Sequence, residues 1–117
     1  MKAIIEVAQR NSAIQNARQQ LAAARQGQAP DYQLSFESAK TLFTELTPAR
    51  LDLLDTLSKL GTCSIYALAK AAQRNYSNVH TDVTQLEALG LIERNDAQQI
   101  FTPYDGVEIR MPLAKTA

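Results

Sequence analysis

Residues 64–90 have the sequence SIYALAKAAQRNYSNVHTDVTQLEALG, which predicts two consecutive helices joined by a short turn. Ser64 is a favourable N-cap for a helix over residues 65–72, where apolar side chains recur at the helical spacing i, i+3, i+4, i+7. Residues 73–76 form a short polar turn, and Ser77 or its neighbour begins the next helix, which Gly90 ends. The buried stripe of that helix is predicted to contain Val79, Val83, Leu86 and Leu89.

Further elements are predicted on both sides of this helix pair. Thr47 and Pro48 are the residue types favoured at an N-cap and at the first helical position, so they predict a helix over residues 49–60 that Gly61 ends. Residues 37–46 also have helical spacing, and residues 91–94 and 99–102 have the composition of two strands joined by a turn. Three helices followed at once by a hairpin are the arrangement of a winged helix-turn-helix.

The two ends of the chain each carry a predicted strand. Residues 1–7 are rich in β-branched side chains, and residues 107–113 alternate apolar and polar positions with a period of two. Neither strand has an evident local partner, so we expect the two to pair in one sheet, either within a chain or between two chains. Residues 8–25 have the composition of a helix, and residues 28–33 have that of a linker.

The predicted fold class is therefore α+β, a winged helix-turn-helix with an N-terminal strand-helix extension and with terminal strands paired in a small sheet. Two parts are expected, an extension over residues 1–33 and a winged helix-turn-helix domain with its C-terminal strand over residues 34–117. The Ala-rich face of the helix in the extension is a candidate contact for a partner or a second copy, formed by Ile14, Ala17, Arg18, Leu21 and Arg25. Two solvated arginines along the edge of a core are the alternative for Arg18 and Arg25.

Composition limits the possible functions. The 117 residues contain 12 Lys and Arg against 12 Asp and Glu, so the net charge is zero, which argues against a generic polyanion binder or a contact with an anionic membrane. Residues 1–30 nevertheless contain Lys2, Arg10, Arg18 and Arg25 against Glu6 alone, an excess of three positive charges. No apolar run approaches the ~18 residues of a membrane span, and a single cysteine suits a reducing compartment, so a cytoplasmic protein is expected.

Side chains that could contact DNA cluster around the helix that begins near Ser77. Ser, Asn, Thr and Gln can bond base edges in a major groove, and Arg or Tyr at a helix entrance can bond a phosphate. Arg94 in the hairpin would lie beside the backbone on the wing side. The candidate DNA-binding residues are Arg74, Tyr76, Ser77, Asn78, His80, Thr81, Gln85 and Arg94. Polar residues are also typical of the outer face of any water-exposed helix, so that alternative stays open.

Signals for catalysis or for a metal are weak. The sequence has no Gly-rich phosphate loop and no nucleophile motif, and Asp52 and Asp55 lie on a solvated helix face. His80 is the single histidine and has no neighbouring set of Cys or carboxylate ligands. We therefore expect that the protein is not an enzyme and that it binds neither a metal nor a cofactor. Cys63 is either a small half-buried side chain or, at a helix start, a thiol that senses oxidation.

The stretch over residues 46–103 resembles the MarR-like winged-helix transcriptional regulators, and more narrowly a group of small prokaryotic regulators encoded beside toxin genes. The segments that carry the resemblance are LTPARLDLL, SIYALAK, RNYSNVHTDV and LEALGLIE. The resemblance implies that the DNA-facing end of the helix beginning near Ser77 carries Arg74, Tyr76, Asn78, His80 and Asp82. Ser77 and Thr81 depart from the group, in which basic residues are usual. Asp82 would repel a phosphate, so it is expected to orient Arg74 or His80 by an ion pair.

The sequence thus predicts a sequence-specific DNA-binding transcriptional regulator that acts as a homodimer on double-stranded DNA. The resemblance implies an antitoxin that represses its own promoter and neutralises a cognate toxin by binding it directly. A protein-interaction adaptor with the same fold and no DNA binding is the alternative, because the chain has no basic excess.

Overall fold

The computed structural model describes residues 1–8 and 31–113. These residues form four helices, α1 (Ala39–Glu45), α2 (Pro48–Leu60), α3 (Ile65–Ala72) and α4 (Tyr76–Ala88). They also form five strands, β1 (Ala3–Val7), β2 (Tyr32–Phe36), β3 (Glu93–Arg94), β4 (Ile100–Phe101) and β5 (Val107–Arg110). The protein is therefore α+β with its strands in two small sheets. The partner-contact candidates Ile14, Ala17, Arg18, Leu21 and Arg25 lie outside the described residues.

The chain divides into two compact units. The first contains the described residues of Met1–Thr44 and Tyr104–Ala117, and the second is Glu45–Pro103. This division differs from the predicted boundary between residues 33 and 34, because β2 and β5 both hydrogen-bond to β1 and so belong with it. Among the described helices, none combines the length and the apolar composition that a bilayer crossing requires.

The first unit is built on a three-stranded sheet with the order β2-β1-β5, in which both pairings are parallel. Ala3, Ile4 and Ile5 of the central strand are all buried, as expected for a strand with neighbours on both sides. The prediction that the terminal strands pair is confirmed, and the pairing occurs within one chain. Strand β2 begins at Tyr32, inside the predicted linker over residues 28–33. Its extended conformation follows from the pairing with β1, a long-range contact that the local pattern does not contain.

The second unit contains α2, α3 and α4, and each begins at a side-chain cap. Thr47 Oγ1 accepts from the Arg50 amide at 3.2 Å, and Ser64 Oγ accepts from the Ala67 amide at 3.0 Å, so both predicted caps are confirmed. Asn75 caps α4, which therefore begins at Tyr76, the neighbour of Ser77 and within the predicted start. At the other end of α4 the cap is Leu89, which is half-buried, and Gly90 follows with φ +79°.

The core of this unit lies among the three helices and the hairpin that follows them. Helix α3 packs against both α2 and α4. Each fully buried Leu, Ile or Val contributes about 1.5–3 kcal/mol relative to an exposed position. The side chains with at most 2% exposure are Leu46, Leu53, Leu57, Leu68, Val79, Val83, Leu86, Leu91, Ile92 and Ile100. Apart from half-buried Leu89, the predicted apolar stripe of α4 is therefore confirmed.

The hairpin that follows α4 is shorter than predicted. Strands β3 and β4 are antiparallel and have two residues each, and Leu91 and Ile92 lie buried before the first of them. Cys63, just before α3, exchanges two backbone hydrogen bonds with Ile100 of β4, at 3.0 and 2.7 Å. The hairpin is thereby attached to the start of α3 through β4, which leaves β3 as its outer strand.

Candidate nucleic-acid interface

Helix α4 presents two contrasting faces. Val79, Val83 and Leu86 are completely buried at spacings of four and three residues, so one side of the helix is fixed in the core of the second unit. The remaining sides carry exposed residues, which are Tyr76, Ser77, Asn78, His80, Thr81, Thr84 and Gln85. Every candidate that the sequence places on this helix is thus exposed, while Arg74 and Arg94 come from the turn before it and from the hairpin after it.

The start of α4 is fixed by Asn75, which the sequence analysis did not single out. Its Oδ1 atom accepts from the amides of Ser77 and Asn78, at 2.8 and 3.4 Å. Asn is among the best N-cap residues, so its place before the first helical residue was the available signal. The cap holds the first turn of α4 in place, and with it the side chains of Tyr76 and Asn78.

The exposed polar side chains of α4 differ in how far they are already bonded. The hydroxyls of Thr81 and Thr84 donate to the carbonyls of Ser77 and His80, at 3.1 and 2.9 Å. Asn78 and Gln85 make no side-chain hydrogen bond to any residue of the described part of the chain, so their amides keep all their donors and acceptors for a ligand. The rings of Tyr76 and His80 lie 6.0 Å apart and are tilted by 45°.

Asp82 pairs with Arg74, one of the two partners expected from the sequence, and a second arginine also bonds this carboxylate. Asp82 Oδ2 accepts from Arg74 at 2.7 Å, and Asp82 Oδ1 accepts from Arg50 Nε at 3.0 Å. Burial by itself raises the pKa of the Asp82 carboxyl, but the hydrogen bonds and charges of Arg74 and Arg50 outweigh it and leave the pKa below its ordinary value. The carboxylate is therefore ionised at neutral pH and links the turn before α4, α4 itself and α2.

Arg50 is a second residue of the candidate interface that the sequence pattern does not reveal. Its side chain is 16% exposed, and besides Asp82 it bonds the carbonyl of Glu45 at 2.8 Å. The sequence marks Arg50 only as the third residue after the Thr47 cap. Its partner Asp82 is 32 residues away along the chain, a distance at which no local pattern reveals a contact.

Arg94 is also paired, although the sequence assigns it to the wing-side backbone of DNA. Its guanidinium bonds both oxygens of Glu87 on α4, with Nε at 2.9 and 3.0 Å and a terminal nitrogen at 2.7 Å. The hydrogen bonds to Glu87 raise the pKa of Arg94 above its ordinary value. The pair therefore links the hairpin to the C-terminal half of α4, and a phosphate would have to compete with Glu87 for this arginine.

The second unit has more acidic than basic side chains. Seven acidic residues, Glu45, Asp52, Asp55, Asp82, Glu87, Glu93 and Asp96, stand against five basic ones, Arg50, Lys59, Lys70, Arg74 and Arg94, which gives a net charge of −2. Within Glu45–Pro103, where every residue is described, Lys70 is the only basic side chain without a salt bridge. The surface around α4 is therefore polar rather than basic.

The sequence also raises the question of oxidation at Cys63 and of metal binding at His80. Cys63 is buried, and burial raises the pKa of its thiol, which disfavours the reactive thiolate that oxidation sensing requires. Within residues 1–8 and 31–113, no three His, Cys, Asp or Glu side chains form a group that could hold a metal ion.

Comparison with protein families finds a match that covers the second unit. The model of the HVO_A0114 family matches residues 45–109, more than half of the chain. The matched range contains the whole second unit, with α2, α3, α4 and the hairpin, and ends within β5. No curated protein and no solved structure matches the chain.

Proposed function

The chain belongs to the HVO_A0114 family, and we propose that it is a sequence-specific DNA-binding transcriptional regulator with a winged helix-turn-helix fold. In this proposal α4 enters the major groove and the β3-β4 hairpin is the wing. The observation that carries it is the outer face of α4, where side chains able to bond base edges project from a helix whose other face is completely buried.

The chemistry of that face suits base recognition. A side-chain amide can pair with adenine through one donor and one acceptor, and the major groove admits a single helix. Asn78 and Gln85 offer such amides seven residues apart, which is about two helical turns or roughly 10 Å along α4. This separation matches about three base pairs, given a rise of roughly 3.4 Å for each. One copy of α4 would therefore read a short half-site.

The arginines beside α4 suit positioning rather than strong attraction. Arg74 and Arg94 lie at opposite ends of the helix, where the two backbones of a major groove would pass, yet both are bonded to carboxylates. A phosphate contact must displace or share those carboxylates, so the gain in binding is smaller than for a free guanidinium. We therefore expect a modest affinity for each copy and a dependence on two copies bound to two half-sites about one helical turn apart.

The test is selection of binding sites from a random double-stranded DNA library at low salt, followed by titration of the selected sequence. Asn78→Ala and Gln85→Ala are each expected to weaken specific binding by about 5-fold to 150-fold, since one bidentate base contact contributes about 1–3 kcal/mol. Binding to unrelated DNA should change by less than about twofold, because those amides carry no charge. Ser58→Ala on α2 is the control, with no expected effect on either measurement. A folded protein that enriches no sequence would overturn the proposal.

A protein-interaction adaptor is the second candidate, and the acidic balance of the second unit favours it. In that case no sequence is enriched from the library. Arg74→Ala together with Asn78→Ala would then leave the capture of a partner protein unchanged, with no repression to lose. If capture survives the double substitution and promoter repression is lost, the regulator proposal stands.

The resemblance to regulators encoded beside toxin genes adds a partner to the proposal. We propose that the chain is an antitoxin that represses its own promoter and binds a toxin. The contact assigned to the toxin consists of Ile14, Ala17, Arg18, Leu21 and Arg25, and the sheet of terminal strands is the alternative. Coexpression with the product of the neighbouring gene tests this, with rescue of growth and copurification as the measurements. Leu21→Asp should abolish both and leave operator binding intact, and an unchanged complex would contradict the assignment.

A further inference from the structure

Strand β5 lies at one edge of the three-stranded sheet and has an exposed apolar side. It pairs with β1 along one edge, and no strand among the described residues pairs with its other edge. Val107 and Ile109 are 40% and 41% exposed, and Met111, which continues the alternation, is 53% exposed. An open edge with apolar side chains is a template for another strand, and proteins rarely leave such an edge unprotected.

The backbone of β5 shows which groups face that open edge. The Gly106 carbonyl accepts from the Ala3 amide of β1 at 3.0 Å, so Gly106 directs its polar groups toward β1. Successive residues of a strand direct their N–H and C=O groups to opposite edges. The backbone polar groups of Glu108 therefore also point toward β1, while those of Val107 and Ile109 point toward the open edge. Ile109 therefore offers both a donor and an acceptor outward.

The side chains of β5 are complementary to a second copy of the same strand. In an antiparallel pair centred on Ile109, this residue faces its own copy and exchanges both backbone hydrogen bonds with it. Glu108 then faces Arg110 of the other copy in both halves of the pair, and Val107 faces Met111. A pair centred on Val107 would instead place Ile109 opposite Asp105, and one centred on Met111 would place Glu108 opposite Ala114. The register on Ile109 is thus the one that matches opposite charges and apolar side chains together.

We propose that two copies of the chain associate through antiparallel pairing of β5 with its own copy, centred on Ile109. The result is a six-stranded sheet with the order β2-β1-β5-β5-β1-β2 and a twofold axis at Ile109. Two four-residue strands bury far less than the ~1,600 Å² of a standard stable interface, so a dissociation constant in the micromolar range is expected. The pairing is independent of the proposed function, because neither it nor its test involves DNA.

The test is sedimentation velocity of the full chain over about 1 to 500 μM protein, without DNA. Glu108→Arg and Arg110→Glu each place like charges opposite each other at two positions and should weaken self-association at least tenfold, by roughly 1.4 kcal/mol or more. An equimolar mixture of the two variants restores opposite charges at every position, so it should associate within about threefold of the unaltered chain. Loss of the internal Glu108 to Arg110 contact, 2.7 Å long, cannot give this recovery, because mixing does not restore it.

Ile109→Pro is a second, independent variant. It removes an N–H group that faces the open edge, where proline is tolerated, and leaves the hydrogen bonds between β5 and β1 in place. It should keep the circular dichroism spectrum of the unaltered chain and be monomeric throughout the concentration range. A monomeric unaltered chain, self-association that persists in Ile109→Pro, or a mixture of folded charge variants that stays dissociated would each overturn the proposal.

Discussion

At the scale of single residues, Asp82 connects three elements, the turn before α4, α4 itself and α2. Two guanidinium groups from different elements share its two oxygens, and its side chain is only 14% exposed. This carboxylate has two opposing effects on Arg74. It fixes Arg74 beside the start of α4, and it also reduces the attraction that Arg74 offers to a phosphate. The stability of the second unit and its affinity for an anion are therefore coupled through one residue.

Asp82→Asn is expected to lower the free energy of unfolding by about 2 kcal/mol at neutral pH, because it removes the carboxylate charge that pairs with Arg74 at 2.7 Å and with Arg50 at 3.0 Å. The pKa of Asp82 is lowered in the folded state, so its contribution is present above the unfolded pKa of about 3.9 and is lost as pH falls through the folded pKa. Urea unfolding at about pH 7 and about pH 3 should therefore show a smaller difference between variant and unaltered chain at the acidic pH.

Asp55→Asn is the matched control for this substitution. Asp55 pairs with Lys59 at 3.0 Å on the surface of α2, where both side chains are more than 60% exposed. Its loss should change stability by less than about 0.5 kcal/mol at either pH. Equal effects of the two substitutions would contradict the role given to Asp82.

The sequence predicts which side chains of α4 are exposed better than it predicts which charged residues pair. Helical periodicity was enough to place Ser77, Asn78, Thr81 and Gln85 on the outer face of α4, because the apolar stripe fixes the orientation of the helix. The partners of the arginines were harder to predict. Asp82 is predicted to pair with Arg74 or His80, because a carboxylate facing outward would repel a phosphate, and it pairs with Arg74. The contacts of Arg50 with Asp82 and of Arg94 with Glu87 depend instead on how the helices and the hairpin pack.

At the scale of elements, the turn between α3 and α4 has an unfavourable residue. Gln73 caps α3 in the left-handed conformation, with φ 55° and ψ 45°, which Gly adopts without steric cost. Gln73→Gly should therefore stabilise the chain by about 0.5–1 kcal/mol and raise Tm by roughly 2–5 °C. Ala71→Gly, inside α3, should have the opposite sign and cost about 1 kcal/mol. Thermal unfolding checks both, and a loss of stability in Gln73→Gly would contradict the argument.

The contact between α4 and the hairpin gives a prediction about binding. Glu87→Gln weakens the hold on Arg94, whose guanidinium then becomes available to a phosphate. DNA affinity should rise about threefold to tenfold relative to Glu93→Gln, which removes the same charge from β3 without releasing an arginine. Fluorescence anisotropy with the selected DNA measures this ratio. Equal affinities of the two variants would mean that Arg94 does not contact the backbone.

Helices and strands differ in how well the sequence predicts them, because helix starts depend on neighbouring residues and strand pairing depends on distant ones. Helices α2 and α3 were predicted to within one residue, because Thr47, Pro48 and Ser64 act on the first turns that follow them. The start of β2 lies within the predicted linker over residues 28–33, because its parallel pairing with β1 joins residues 29 positions apart. Parallel sheets need such long connections, so their strand order is rarely visible in short-range patterns.

At the scale of the whole molecule, the net charge of zero is distributed unevenly. The second unit has a net charge of −2, while residues 1–30 have an excess of three positive charges, most of them outside the described residues. Ser77 and Thr81 on the outer face of α4 are uncharged, so this face lacks charges that would attract a phosphate backbone. If α4 enters DNA, its binding should depend weakly on salt.

Adding those charges tests the arrangement directly. Ser77→Lys combined with Thr81→Lys should steepen the slope of log K against log salt concentration by about 1.8, because each phosphate contact on duplex DNA contributes about 0.9. Affinity at low salt should rise at least tenfold, while the selected sequence stays the same, since Asn78 and Gln85 are unchanged. Ser58→Lys on the exposed surface of α2 is the control for added charge and should leave the slope within about 0.3 of the unaltered chain. Equal slopes for the double variant and this control would show that α4 does not face the DNA backbone.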